Sequence, residues 1–200
     1  MTRAQSRTVR WWWVRHAPAK VVEGAPAAFC GWSDPDADLT DTHALGVLRS
    51  ALPEEAAVLS SDLTRARATA DALSRRSHRR LGAAQELREQ NFGEWEGQSY
   101  DAVDAETFWR DPARVAPPGG ESFAEVCARV ARAVTARNQH AEEEIVAVAH
   151  AGAIRAALAL ALDMPPGQAL LFEIAPLSLT RIDWIAEPGA WRVGGVNLTL

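Results

Sequence analysis

Three short stretches constrain this chain more than the rest of it: Val9–Val14 (VRWWWV), Ala57–Ser61 (AVLSS) and Glu144–His150 (EIVAVAH). Each is nearly continuous in apolar residues, without the every-other-residue polarity of a strand with one wet face. Runs of this kind suit central strands of a parallel sheet, covered by helices on both sides. Val9–Val14 is therefore expected to be buried on both faces.

Between the runs the apolar spacing becomes helical. SSDLTRARATADALSRR is expected to open on Ser61 or Asp62 as N-cap and sets Leu63, Ala66, Ala70 and Leu73 in one stripe. ESFAEVCARVARAVTARNQ puts Phe123, Val126, Val130 and Val134 on one face, with Arg129, Arg132 and Arg137 off it. AGAIRAALALALDM follows His150 and stops before Pro165-Pro166. The tail alternates around Pro188-Gly189, which predicts edge strands, at least one of them antiparallel. The expected fold is a three-layer α/β/α sandwich with a mostly parallel central sheet and an antiparallel edge strand. One domain is expected over residues 1–200. A Pro- and Gly-rich excursion at about 98–120 reads as a lid over the sheet.

A net charge of −5 gives no global attraction to nucleic acid or to an anionic membrane. The basic run SRRSHRRLG at 74–82 reads as a solvated cap on a helix C-terminus. His43, His78 and His140 read as surface residues. Cys30 and Cys127 lack the spacing of a disulfide framework or zinc site, so both are expected to be reduced, core or near-core thiols in a cytoplasmic protein. The N-terminal apolar run is too short for a signal peptide, and no window approaches the roughly 18 apolar residues of a membrane span.

Open parallel sheets bind ligands beyond the carboxyl ends of their strands. Here the first strand ends in Arg15-His16, the second in Ser60-Ser61 and runs on to Arg65, and the third ends in His150 before a glycine-containing helix start. Two arginines and two histidines thus share one rim. A helix N-terminus beside them adds free N–H donors suited to an anion. Arg65 in the first turn of its helix opposes the dipole, which a nearby anion would offset.

VRHA, SSDLTRARATA, LREQNFGEWEG, PGGES and VAHAGAIR, in that order over about residues 9–200, resemble the histidine phosphatase superfamily, the clan of cofactor-dependent phosphoglycerate mutases and small bacterial phosphatases such as α-ribazole phosphatase. The resemblance implies that His16 is a nucleophile that becomes phosphorylated. It implies that Arg15 and Arg65 clamp phosphate, that His150 is the second pocket histidine, and that Glu89 is the acid–base group. Glu94 and Glu96 stay open as alternatives for that last role. The chain departs from the family in Ala17, where glycine is usual, in Pro18, and in a turn, GWSDPDADLTD, about two residues longer than usual. These departures bear on substrate preference.

The chemistry suits the residue types. Arginine forks neutralise a phosphate, a neutral histidine attacks it, a protonated His150 would donate to it, and a carboxyl group protonates the leaving alkoxide. Neither a cofactor nor a metal is expected. A ligand set of His16, Asp62 and His150 is conceivable but lacks a metal-binding spacing. The expected partner is a small-molecule phosphate ester, with no nucleic acid and no membrane; a homodimer stays open. Within this class the substrate expectation is α-ribazole 5′-phosphate. Broad-specificity phosphatase, mutase-type phosphotransfer and a catalytically silent binding protein are the alternatives.

Overall fold

Trp11, Trp12 and Trp13 cannot share one environment, because successive side chains of a strand point to opposite faces. The computed structural model, which describes residues 6–20 and 27–200, places them in β1, Thr8–Arg15. Val9, Trp11 and Trp13 are buried on one face. The two indoles stack with centroids 5.2 Å apart, and Trp11 Nε1 donates to Asn138 Oδ1 at 2.9 Å. Trp12 faces the other way and is half-buried. Its Nε1 donates to Glu144 Oε2 at 2.6 Å, and the Arg181 guanidinium lies 4.9 Å from its ring centroid. Burial on both faces, expected for the whole run, holds only at its end, for Trp13 and Val14.

The chain continues through α1 (Thr42–Ala51), β2 (Ala57–Ser61), α2 (Thr64–Leu73), β3 (Arg79–Ala84), α3 (Glu106–Arg110), α4 (Phe123–Arg137), β4 (Glu144–Ala149), α5 (Ala151–Leu162), α6 (Pro166–Ala169), β5 (Leu179–Ile185) and β6 (Ala190–Leu198). The strands form one sheet in the order β3-β2-β4-β1-β5-β6. The pairs β2–β3, β2–β4 and β1–β4 are parallel; β5 runs antiparallel to β1, and β6 antiparallel to β5. Phe123, Val126 and Val130 of α4 and Ile154 and Leu158 of α5 pack with Trp11 and Trp13. Leu45 and Leu48 of α1 and Ala66, Ala70 and Leu73 of α2 pack with Val14, Val58 and Val148 on the opposite face. The three-layer α/β/α sandwich with a mostly parallel sheet and an antiparallel edge is therefore the observed fold.

Local corrections have plain causes. The basic run at 74–82 contains the start of β3, an edge strand with Arg79 and Arg80 exposed. It has no apolar run to announce it, and its arginines are the kind of charge that keeps a sheet edge from pairing further. Helix α2 takes its cap from a distant loop rather than from Ser61 or Asp62: Asp34 accepts from Thr64 N and Thr64 Oγ1, both at 2.7 Å. His78 is buried, its ring bonded to Arg75 N and the Pro53 carbonyl. Cys127 is half-buried against the core, as a near-core thiol, whereas Cys30 is exposed. Among the described residues no helix is long and apolar enough to cross a membrane.

The segment 98–120 holds α3 and one 3-10 turn, Tyr100–Ala102. Tyr100 and Trp109 pack on Phe29, and Phe108 packs on Phe92 and Trp95.

Trp13 and Trp12 differ in burial though adjacent, and this separates their energetic weights. Trp13→Ala should cost about 3–5 kcal/mol of unfolding free energy, and Trp12→Ala less than half as much. Urea titration followed by circular dichroism measures both; equal losses would contradict the assignment of faces.

Candidate active site

Strands β1, β2 and β4 lie in parallel register, so the residues that follow them meet at one rim. His16 N donates to the Ala149 carbonyl at 2.9 Å, which fixes the end of β1 against the end of β4. His150 is the N-cap residue of α5, with extended backbone (φ −122°, ψ 167°). The two imidazoles face each other with centroids 4.8 Å apart at 62°.

The neighbours of His16 define its tautomer. Its Nδ1 lies 2.6 Å from the Ala17 carbonyl, which can only accept, so Nδ1 carries the proton. Its Nε2 accepts from Arg65 Nε at 3.2 Å. The lone pair therefore sits on Nε2, facing the guanidinium. Burial, followed by the charges of Arg65 and Arg15, pushes its pKa down to about 3, although the Ala17 carbonyl works in the other direction. His150 is fully buried and its pKa lies well below the ordinary histidine value, through burial first and then His16, Arg65, Arg129 and Arg15. In the free site these effects disfavour the protonated form of His150. Its Nε2 bonds Ser61 Oγ at 2.9 Å, and its buried Nδ1 has no partner among the described residues.

Arg65 is 1% exposed, so its charge needs partners. Its Nη1 donates to the Ser33 carbonyl at 2.8 Å and its Nη2 to the Gly31 carbonyl at 2.7 Å. Asp34, 3.9 Å away, supplies part of the anion that its place in the first turn of α2 calls for. The loop holding those carbonyls is itself held by Glu96, which accepts from the amides of Gly31, Trp32, Ser33 and Phe92 at 2.7–3.0 Å. Burial works to raise the Glu96 pKa, but the amides of Ser33, Phe92 and Trp32 outweigh it and hold it low. A Cβ on Gly31 would lie 1.9 Å from the Gln90 carbonyl, so only glycine fits there.

Glu89 arrives at the same rim from the loop before Gln90. Its carboxylate accepts from Gly152 N, in the first turn of α5, at 3.0 and 3.2 Å, and from Gln90 N at 2.9 Å. The approach requires glycine, since a Cβ at 152 would lie 2.0 Å from Glu89 Oε1. Glu96 is committed to the Gly31–Ser33 loop and Glu94 is exposed.

All five anticipated residues, His16, Arg15, Arg65, Glu89 and His150, come together here. Arg15 Nη1 donates to the Ile174 carbonyl at 2.5 Å, and its buried Nε has no partner among the described residues. Arg15 and Glu89 line a cleft of about 440 Å³ with Cys30, Phe92, Tyr100 and Arg155. Asp62 is committed elsewhere: both oxygens accept from Arg88, at 2.7 and 2.6 Å. Among the described residues no group of three His, Cys, Asp or Glu side chains could hold a metal ion.

Sequence reasoning did not single out Arg129. Its guanidinium donates to the carbonyls of Glu86, Arg88 and Glu89 at 2.8–2.9 Å and pairs with both oxygens of Glu121 at 2.7 and 3.0 Å. The loop that carries Glu89 is thereby tied to α4. The one available signal was an arginine four residues, one helical turn, after the capping-box Glu125.

The His16 assignment has a consequence for pH. A histidine whose folded pKa lies near 3 binds no proton between pH 8 and 5, while the unfolded chain protonates below about 6.5. Stability should therefore fall as pH drops from 6.5 toward 3, by up to about 1.4 kcal/mol per pH unit for each such group, with His150 acting in the same sense. Two-dimensional ¹⁵N spectra of the ring should show protonated Nδ1 and bare Nε2 for His16 throughout pH 5–8; titration in that range would refute the assignment.

Comparison with known proteins agrees with this geometry. Residues 11–199 match the family model of the histidine phosphatase superfamily (branch 1). The glucosyl-3-phosphoglycerate phosphatase of Mycolicibacterium vanbaalenii is 39% identical over 121 residues, 54% of this chain and 54% of that protein. The chain spans about half the length of the curated relatives of that name. The native structure of a mycobacterial glucosyl-3-phosphoglycerate phosphatase superposes with a TM-score of 0.76 at 28% identity, covering 96% of this chain and 99% of that one. The α-ribazole phosphatase of Shigella flexneri superposes with a TM-score of 0.81 at 24% identity over 96% and 97%, a likeness of fold. With the family pattern running through nearly its whole length, this chain belongs to the histidine phosphatase superfamily.

Proposed function

We propose that the chain is a phosphomonoesterase that works through a phosphohistidine on His16. The observation that carries this reading is the orientation of the His16 ring. Its proton is tied to the Ala17 carbonyl, and its lone pair meets the cation that a phosphate would also seek.

The steps follow from these contacts. A phosphate dianion takes the donors of Arg15 and Arg65, and Arg65 Nε exchanges the His16 lone pair for a phosphate oxygen. Nε2 then forms a bond to phosphorus as the ester P–O bond breaks. The leaving oxygen takes its proton from the acid form of Glu89, a step worth roughly 10²–10⁴-fold. Neutral His150 offers one N–H to a phosphate oxygen. In the second half, Glu89 as carboxylate takes a proton from water, water oxygen bonds to phosphorus, and the P–N pair returns to Nε2. Nothing in this sequence calls for a metal.

The domain is read as single, with 98–120 as a lid whose Tyr100 walls the cleft. The substrate is read as a small phosphorylated metabolite. The α-ribazole 5′-phosphate reading rests on likeness of fold, whereas the more identical relatives are named for glucosyl-3-phosphoglycerate, which we place first.

A panel of metabolite monoesters including both compounds, assayed with and without chelator, tests the class and the order. Activity should survive exhaustive chelation; loss that zinc or manganese restores would overturn the metal-free mechanism. His16→Ala should abolish turnover without unfolding, and quenched wild-type enzyme should carry acid-labile phosphate on His16.

Glu89 and Arg129 make a separate expectation. Glu89→Gln should slow alkyl phosphates at least a hundredfold and p-nitrophenyl phosphate far less, because that leaving group needs little protonation. Arg129→Gln should move leaving-group dependence in the same direction, more weakly, by loosening the loop. A parallel loss on all substrates in both variants would remove Glu89 from the acid role.

A further inference from the structure

The cleft beside the two histidines contains more positive charge than a phosphate needs. Arg15 and Arg65 suffice for the phosphate oxygens. Arg155 is a third arginine, on the wall of the same cleft as Arg15 and Glu89. It stands three residues after Gly152 on α5, so it lies on the face of the helix that holds the Glu89 carboxylate, one turn further on.

Its bonding leaves donors unused. Arg155 Nε donates to the Phe172 carbonyl at 2.8 Å. Among the described residues its two terminal nitrogens make no hydrogen bond, and no carboxylate lies within 4.0 Å of them. Arg88 and Arg129, also half-buried, each hold a carboxylate at 2.6–2.7 Å, whereas Arg15, in the same cleft, holds none. Glu89 is the carboxylate whose field reaches Arg155, and in the acid form that catalysis uses it carries no charge. Before P–O cleavage, while Glu89 still holds that proton, Arg155 therefore has no carboxylate to balance its charge.

We infer that Arg155 reads a second anionic group on the substrate, a carboxylate or a second phosphate carried by the leaving alcohol. This deepens the phosphatase reading and rests on it. The geometry orders the substrate along the cleft. The ester phosphate lies at His16, Arg65 and Arg15, the bridging oxygen at Glu89, and the second anion one helical turn away at Arg155. The planar fork with both Nη groups free suits two oxygens of one anion. Phe92 and Tyr100, across the cleft, provide an apolar surface for the carbon skeleton between the two charges. The ligand class is thus a phosphate monoester of a hydroxy acid or of a phosphorylated alcohol, rather than of a neutral one.

The test uses matched pairs. 3-Phosphoglycerate and glycerol 3-phosphate differ by a carboxylate in place of a hydroxymethyl group; fructose 1,6-bisphosphate and fructose 1-phosphate differ by a second phosphate. The wild-type chain should prefer the more anionic member of at least one pair by about tenfold or more in kcat/KM, the range expected of a charge-assisted bidentate contact. Which pair shows the preference identifies the anion. In Arg155→Gln that ratio should fall at least tenfold, and in Arg155→Lys it should fall only part of the way. Absence of any preference, a preference that Arg155→Gln leaves intact, or parallel losses on both members of a pair would overturn the inference. The last result would mean that Arg155 only ties α5 to Phe172. Calorimetric binding of the same four ligands to wild type and Arg155→Lys gives the same ratios without turnover. If p-nitrophenyl phosphate is not hydrolysed at all, the phosphatase reading fails, and the binding ratios still decide the role of Arg155.

Discussion

A guanidinium taken out of water is among the most expensive groups a fold can contain, and Arg65 is almost completely buried. The surroundings of the site are arranged to make that burial tolerable. Carbonyls of Gly31 and Ser33 accept from its two ends, and those carbonyls are aimed inward because Glu96 gathers the amides on the other side of the same loop. The carboxylate of Glu96 and the cation of Arg65 never touch. They are coupled through one short stretch of backbone that bonds to both. Arg65 Nε has only the His16 lone pair to satisfy it. His16 is thus oriented by the same requirement that fixes Arg65.

A second network meets the first at Glu89. Arg129, anchored by Glu121, holds the backbone around Glu89, and Trp32 Nε1 donates to the same Glu89 carbonyl at 2.9 Å. Trp32 belongs to the loop that Glu96 organises. The His16 side and the Glu89 side are therefore tied by a shared loop, although the two residues lie far apart in sequence. Gly152 completes the junction from α5, the helix that His150 begins. Distances within the site are set by backbone contacts, which tolerate little drift.

How much of this was legible in the sequence follows from the range of each interaction. Central strands and amphipathic helices announce themselves through local periodicity, so β1, β2, β4, α2 and α4 were readable, as were the residues at the strand ends. Strand β3 was not, because an edge strand with exposed arginines has no apolar run. Asp34 as the cap of α2, Glu96 beneath the Gly31 loop and Arg129 beneath Glu89 were equally hidden. Each joins residues thirty or more positions apart, and no spacing rule reaches that far. His78 read as a surface residue because its polar sequence context says nothing of the Pro53 carbonyl that buries it. The order of motifs, rather than any one of them, brought Glu89 into view.

The neutrality of the two histidines completes the account of the site. Burial already disfavours imidazolium, and Arg15 and Arg65 add repulsion, so the free site has two cations and no protonated ring. Had either histidine been charged, three adjacent positive groups would have had to share one buried rim. A phosphate dianion inverts that field. It balances Arg15 and Arg65, while burial still disfavours a proton on His150. His16 keeps its tautomer throughout, because its Nδ1 proton is held by a carbonyl and its lone pair points away from that bond. The same cationic surroundings that suit an anion therefore keep His16 unprotonated at Nε2.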